Sequence, residues 1–238
     1  MTYFEITLPS AAENVALDEA FVTAAEDGSG GEVLRVWELD HRAVVLGASG
    51  RMADEVDLDA CLADQIPIVR RSSGGGTVLI GPGALNFTVV LPVEAHADLK
   101  AVDTTQSYVL ERTAEAMRVL GPDVRVLGSG DLTIDGRKFS GSAQRRLKRW
   151  VMVHATVLYG LDLAMMGRYL RPPKRQPSYR EGRAHDDFLT LLPLPRAAIV
   201  GALRSAWPGG PAEWAPPLEL AGRMVVEKYG RTDWTERL

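Results

Sequence analysis

Apolar residues recur at Leu17, Ala20, Phe21 and Ala24, the spacing of one helix face, with polar positions between them. Ser10 and Glu13 stand ahead of this run in the register of a capping box. The pattern predicts a helix over Ala11–Glu26, ended by the glycine-rich tract Gly28–Gly31. Two β-type runs follow, Val33–Trp37 and Ala43–Gly47, separated by polar turn residues. Leu58–Asp64 fits a short helix, and Ile66–Val69 a short strand that Pro67 can begin or border. Thr77–Ile80 and Asn86–Leu91 fit strands around the turn Gly81-Pro82-Gly83.

Further on, Asp103 can cap a helix to about Leu120, with Val109, Thr113, Ala116 and Leu120 along one stripe and Gly121-Pro122 as its stop. Leu132–Ile134, the pair Asp135-Gly136 and Arg137–Ser142 form a hairpin pattern, because Asp-Gly suits the two left-handed positions of a tight turn. Val151–Tyr159 alternates, with Met152, His154, Thr156 and Leu158 on one face and Val151, Val153, Ala155 and Val157 on the other. Arg171–Asp187, rich in Pro and Arg, is expected to be a long loop. A helix at Arg196–Ala206 and a short strand at Gly222–Lys228 complete the pattern. Mixed hairpins and helices predict an α+β fold rather than regular βαβ alternation.

The 238 residues suit one domain, taken as 1–238 with a core at about 30–217. No apolar run reaches the ~20 residues of a membrane helix. The start, MTYFEITLPS, lacks a basic and then apolar leader pattern, so a cytoplasmic protein is expected. Cys61 is the single cysteine, which excludes an intrachain disulfide. Charge is uneven: Arg137–Arg183 holds 12 Lys and Arg against 2 Asp and Glu, while the remainder holds 15 against 29. Such a stretch can face phosphate or an acidic partner, or can be two solvated faces. It lacks interleaved aromatics, so no nucleic acid partner is expected.

Two tracts carry chemistry. In Arg70-Arg71-Ser72-Ser73-Gly74-Gly75-Gly76-Thr77, glycines free the backbone for close ligand approach, and successive N–H groups can cradle an anion. The tract lacks the Walker pattern, so it is no P-loop. In Asp131–Ser142, the tight turn sets Lys138 early on the returning strand, on one face with Ser140 and Ser142. By pattern alone that face is either an exposed edge or the wall of a polar site. His154 sits within an apolar strand, where a satisfied core histidine is the ordinary outcome. Cys61 lies in an apolar stretch and fits a buried, inert thiol.

Together these tracts resemble the lipoate–protein ligase A family, within the wider biotin/lipoate ligase and octanoyltransferase group. Asn14–Ala20 resembles its first helix, Val33–Gly47 its opening strands, and Arg70–Val78, RRSSGGGTV, its lipoate-binding loop. Gly130–Arg146 resembles the segment that bears its catalytic lysine, and His154 the next block. The resemblance implies a central mixed sheet flanked by helices, as in biotin ligases. It implies that ATP and lipoate, with magnesium, give lipoyl-AMP, which a lysine of a lipoyl carrier domain then attacks. The implied carriers are the E2 of 2-oxoacid dehydrogenases and the glycine cleavage H protein. Lys138 is implied to contact the acyl carbonyl and the α-phosphate. Arg70, Arg71, Ser73, Gly74, Gly75, Gly76, Thr77, Val78 and Leu79, with Ser140 and His154, are implied to hold nucleotide and acyl chain. Asp131 is implied to help place Mg2+, and Arg180 and Arg183 to touch phosphate from a mobile loop.

The chain departs from the family in places. Ile80-Gly81 stands where the ligases continue His-Asp, and Ala155 where glycine is usual. The long ligases' C-terminal accessory domain is not seen, which leaves room for a separate small accessory protein as partner. Two other readings stay open. One is octanoyl or lipoyl transfer through a cysteine, although Gly121–Asp131 contains none. The other is a non-catalytic lipoate or adenylate binder. Biotin ligase fits the RRSSGGG loop less well.

Overall fold

The computed structural model describes residues 1–173, 176–210, 212 and 214–238. The strands are β1 (Thr2–Glu5), β2 (Val33–Trp37), β3 (Ala43–Leu46), β4 (Ile68–Arg70), β5 (Val78–Ile80), β6 (Ala84–Pro92), β7 (Arg125–Leu127), β8 (Asp131–Ile134), β9 (Arg137–Arg146) and β10 (Trp150–Leu158). The helices are α1 (Ala11–Asp27), α2 (Met52–Glu55), α3 (Leu58–Ala63), α4 (Val102–Arg118), α5 (Ala164–Tyr169), α6 (His185–Phe188), α7 (Arg196–Ala206), α8 (Leu218–Met224) and α9 (Thr232–Thr235).

Seven strands form a mixed sheet in the order β1-β2-β6-β10-β9-β8-β7, in which only β1 and β2 run parallel. A smaller sheet, β4-β3-β5, stands beside it. The predicted alternation of β10 is realised. Val151, Val153, Ala155 and Val157 enter the core under α4 and α7, with Phe139, Leu110 and Leu203. Met152 on the other face joins the core under α1, with Val90 and Phe21. The fold is α+β, with a mixed central sheet flanked by helices.

Local chemistry explains the ends of these elements. The Ser10 hydroxyl accepts from Glu13 N and the Glu13 carboxylate accepts from Ser10 N, the reciprocal cap expected for α1. Asp135 and Gly136 turn the β8–β9 hairpin at φ 51° and 69°. Gly83, at φ 85°, offers its carbonyl to the N–H groups of Tyr159, Gly160 and Leu161, and a side chain there would strike that backbone.

Three expectations change. Gly222–Lys228 is helical: α8 runs into a π-helical turn at Val225–Tyr229. Ala221 and Tyr229 bury against α1 at helical spacing, and that packing overrides the strand preference of Val225-Val226. Ala101, not Asp103, precedes the first turn of α4, and no side chain caps it. Within Arg171–Asp187 a 3-10 turn, Ser178–Arg180, and the start of α6 are ordered. Lys174 and Arg175 of that segment lie outside the described residues. Core packing also reaches outside 30–217, through α1 and the helical turns after Leu218.

Candidate active site

The glycine-rich loop joins β4 to β5, and its two arginines do different work. Arg70 is fully buried and turned inward. It donates to Gly47 O and Gly50 O at 3.0 and 2.6 Å and, through Nε and Nη2, to Thr235 O at 3.0 and 2.7 Å. It lines no cavity described below. Arg71 gathers the loop: it donates to Gly74 O at 2.6 Å, Gly76 O at 2.9 Å, Val45 O at 3.2 Å and Ser73 Oγ at 3.0 Å. Burial lowers its pKa to about 10, so it stays charged at neutral pH.

Ser73 Oγ meets His154 Nε2, and His154 Nδ1 meets Asp18 Oδ2 at 3.4 Å. Asp18 in turn binds Arg35 at 2.6 Å. The Arg35 guanidinium is fully buried and also donates to Asn14 and to Ile6 O. Burial by itself raises the Asp18 pKa, but the Arg35 charge and the His154 contact hold it below the ordinary carboxylate value. His154 therefore links α1, through β10, to the glycine loop.

On the facing hairpin, Lys138 Nζ lies 2.6 Å from Asp131 Oδ1. A bulge opposite Leu132 and Thr133 interrupts the β8–β9 register beside this lysine. A Cβ on Gly141 would sit 2.7 Å from Nζ, so a side chain there would push the ammonium from this position. The second Asp131 oxygen accepts from Tyr179 Oη at 2.6 Å, which latches the Ser178–Arg180 turn to the hairpin. Ser140 is buried beside it, and its hydroxyl has no hydrogen-bond partner.

Two cavities meet here. The narrow one, about 120 Å3, is walled by Val15, Trp37, Val45 and Ile80, with Arg71, Asn86 and His154 as polar members. The indole N–H of Trp37 has no partner. The wide one, about 630 Å3, takes in Gly74 to Leu79, Gln106, Asp131, Ser140, Arg180 and His185. Lys138, Gly141–Ala143, Gly76–Val78 and Thr156 belong to both. The structure thus brings most of the expected residues together. Arg70, Ser73 and Arg183 line neither cavity. Arg180 donates to Arg183 O and Arg183 to Tyr179 O, which braces their own segment, and Arg183 also donates to Gly136 O, which ties it to the hairpin turn. Arg180 and Arg183 also lie over the Phe188 ring, at 4.7 and 5.4 Å.

Sequence reasoning missed Glu55, Tyr179 and His185. Glu55 accepts from Thr77 Oγ1 at 2.5 Å and lines the wide cavity from α2, a helix too short to show a period. Tyr179 and His185 lie in the segment taken for an open loop. The described residues hold no group of three His, Cys, Asp or Glu fit for a metal ion. Asp131, with both oxygens engaged, does not fit Mg2+ as it stands. Cys61 is buried under the small sheet and lines neither cavity. Burial, then Asp57 and Asp64, push its thiol pKa up, against the thiolate a nucleophile needs. Among the described residues no helix is long and apolar enough to cross a membrane.

A mixed sheet sets a glycine loop against a lysine hairpin over two joined cavities, the arrangement of a small-molecule binding domain. The chain belongs to the lipoyl protein ligase A/B catalytic-domain family, which it matches over residues 10–193. It is 30% identical to the probable lipoate-protein ligase A of Mycoplasma pneumoniae, over 68% of this chain and 46% of that one. It is 27% identical to the octanoyltransferase LipM of Symbiobacterium thermophilum, over 94% of each chain. The chain spans about half the length of the first ligase relatives that it matches. Among solved structures, a bipartite lipoate protein ligase of Thermoplasma acidophilum, described together with its E2 lipoyl domain, superposes with a TM-score of 0.84 at 23% identity, over 99% of this chain and 95% of that one. A lipoate-protein ligase A bound with ATP gives 0.82 at 25% identity, over 99% and 98%.

Proposed function

We propose that this chain activates lipoate or octanoate with ATP to the acyl-adenylate and passes the acyl group to a lysine of a lipoyl carrier domain. The observation that carries this is the position of Lys138, on the wall shared by a narrow cavity and a wide one. An acyl chain in the narrow cavity, against Ile80, Val45 and Trp37, brings its carboxylate to Lys138. A nucleotide in the wide cavity brings its α-phosphate to the same ammonium. The carboxylate oxygen attacks the α-phosphorus, pyrophosphate leaves, and Lys138 stabilises the charge on the reacting oxygens. Arg71 and the backbone of Gly75 to Leu79 hold the two substrates, and His154 keeps the loop in place. Magnesium enters with the ATP phosphates as part of that substrate. The acceptors are the E2 of 2-oxoacid dehydrogenases or the glycine cleavage H protein, and a separate small accessory protein can complete the activation step. The test is incubation with ATP, magnesium and either acid. Acyl-AMP by mass spectrometry supports the reading, and its absence with both acids, together with no transfer from supplied acyl-AMP to a lipoyl domain, removes it.

A second reading is octanoyl transfer between carriers without ATP. The match to LipM over 94% of each chain favours it. The position of Cys61 counts against it, since a thioester needs an accessible, activated thiol. An acyl group trapped on Cys61 in the absence of ATP supports the transferase.

A further inference from the structure

The acceptor lysine meets a chemical difficulty that the machinery above leaves unsolved. A carrier lysine is an ammonium at neutral pH, and an ammonium cannot attack an acyl carbon. Lys138 cannot take its proton, because its ammonium is already held by Asp131. Asp131 has both oxygens engaged, by Lys138 and Tyr179, and Glu55 is engaged by Thr77 beside the glycine loop.

We propose that His185 is the base that accepts this proton in the transfer step, a role that rests on the ligase reading above. His185 lines the wide cavity with Lys138. It opens α6, whose C-terminal end is fixed beside the lysine: Thr190 N donates to Lys138 O at 2.9 Å, and Leu189 pairs with Lys138 as an isolated bridge. Leu189 N donates to His185 O at 2.8 Å, so the same anchoring holds the histidine. The ring is half-buried, which leaves it reachable by a lysine that enters the wide cavity. Burial, then the Arg180 charge, lower its pKa below the ordinary histidine value, with Lys138 adding to them and Asp186 opposing. The shift favours the neutral imidazole, the form that can accept a proton.

The balance is simple. The acceptor ammonium gives one proton to a ring nitrogen of His185. The freed amine forms a C–N bond to the acyl carbon, the carbon–oxygen bond to phosphate breaks, and AMP leaves with the electron pair. The second surplus proton of the nitrogen goes to the AMP phosphate or to water.

The test separates the half-reactions in the full chain with His185→Gln and His185→Ala. The first assay follows acyl-AMP from ATP, magnesium and octanoate. The second supplies octanoyl-AMP and follows transfer to a purified E2 lipoyl domain. The third replaces the carrier by hydroxylamine, a nucleophile already neutral at pH 7. The expected result is that carrier transfer falls roughly 10²-fold further than adenylate formation or hydroxylamine trapping, as for loss of a positioned base. The plateau of wild-type transfer above the histidine pKa is lost in the variants, whose rate keeps rising with pH as the acceptor amine is freed, and added imidazole restores part of the His185→Ala rate. Equal loss in all three assays, or wild-type transfer by either variant, overturns the base and leaves the ligase reading standing. A wild-type protein that neither makes nor uses octanoyl-AMP overturns both.

Discussion

Ser73 Oγ lies 2.5 Å from Nε2 of His154, while the other ring nitrogen of the histidine faces Asp18. Serine, histidine and carboxylate in that order have the connectivity of a nucleophilic triad. Burial decides against that use, because Ser73 is 1% exposed and opens on neither cavity. Arg71 Nε donates to the same oxygen, so the hydroxyl serves as a tie between the loop and the sheet. His154→Phe is expected to keep the fold while losing about 1–3 kcal/mol, the cost of leaving buried polar partners unmet. Urea unfolding gives that loss, and a raised KM for the acid with a smaller change in kcat identifies the displaced loop. A fully inactive but stable variant would instead revive Ser73 as a nucleophile.

Asp18 should set part of the acid stability. Burial raises its folded pKa, but the Arg35 charge and the His154 and Thr88 contacts together outweigh that cost and leave it depressed. Its contribution is therefore present above the unfolded value of about 3.9 and is lost as pH falls through the lower folded value. Asp18→Asn leaves the Arg35 charge buried and unpaired, which costs about 3–5 kcal/mol. Thermal unfolding across pH 2–7 should show a lower Tm at neutral pH and a flatter acid slope, and an unchanged slope would refute the assignment.

Lys138→Ala should slow adenylate formation by roughly 10²-fold or more, typical for one lost electrostatic group. Lys138→Arg should recover little, because Gly141 and Asp131 leave space for a compact ammonium rather than a planar guanidinium. Single-turnover formation of acyl-AMP measures both, and wild-type rates in a folded Lys138→Ala protein would remove the lysine from the mechanism.

Cys61→Ser is expected to retain acyl transfer, with a stability loss of about 1 kcal/mol. The native thiol should also react slowly with iodoacetamide, since it is 2% exposed and its pKa is raised. Abolished transfer with the fold intact would favour the transferase.

Much of this was legible in the chain. The helix cap at Ser10, the Asp135-Gly136 turn and the alternation around His154 are local signals, and each is realised. The glycine loop and the lysine hairpin were also visible as motifs. What local pattern could not give is where charges end. The basic excess after Arg137 leaves phosphate, an acidic partner or two solvated faces open, yet Arg145 pairs with Glu19 at 3.0 Å and Arg149 with Glu26 at 3.4 Å. Arg146 donates to Leu99 O and Thr105, bracing the start of α4. Reversing these charges is now expected to cost stability before it alters carrier docking. The Arg70–Arg71 pair shows the same limit: adjacent in sequence, one faces the cavity and the other the protein interior.

The bond between Arg70 and the carbonyl of Thr235 spans 165 residues. Trp234 returns the contact, donating its indole N–H to Arg70 O at 2.8 Å. During synthesis, which proceeds from the N-terminus, the guanidinium that underlies the glycine loop must wait a further 165 residues before its acceptors are complete. A growing polypeptide can build α1 and much of the sheet early, but it holds this buried charge unsettled until residue 235 has left the ribosome. The α9 turn thus also finishes the support of the glycine loop, so removing Trp234 and Thr235 should yield a well-populated sheet with a loosened loop.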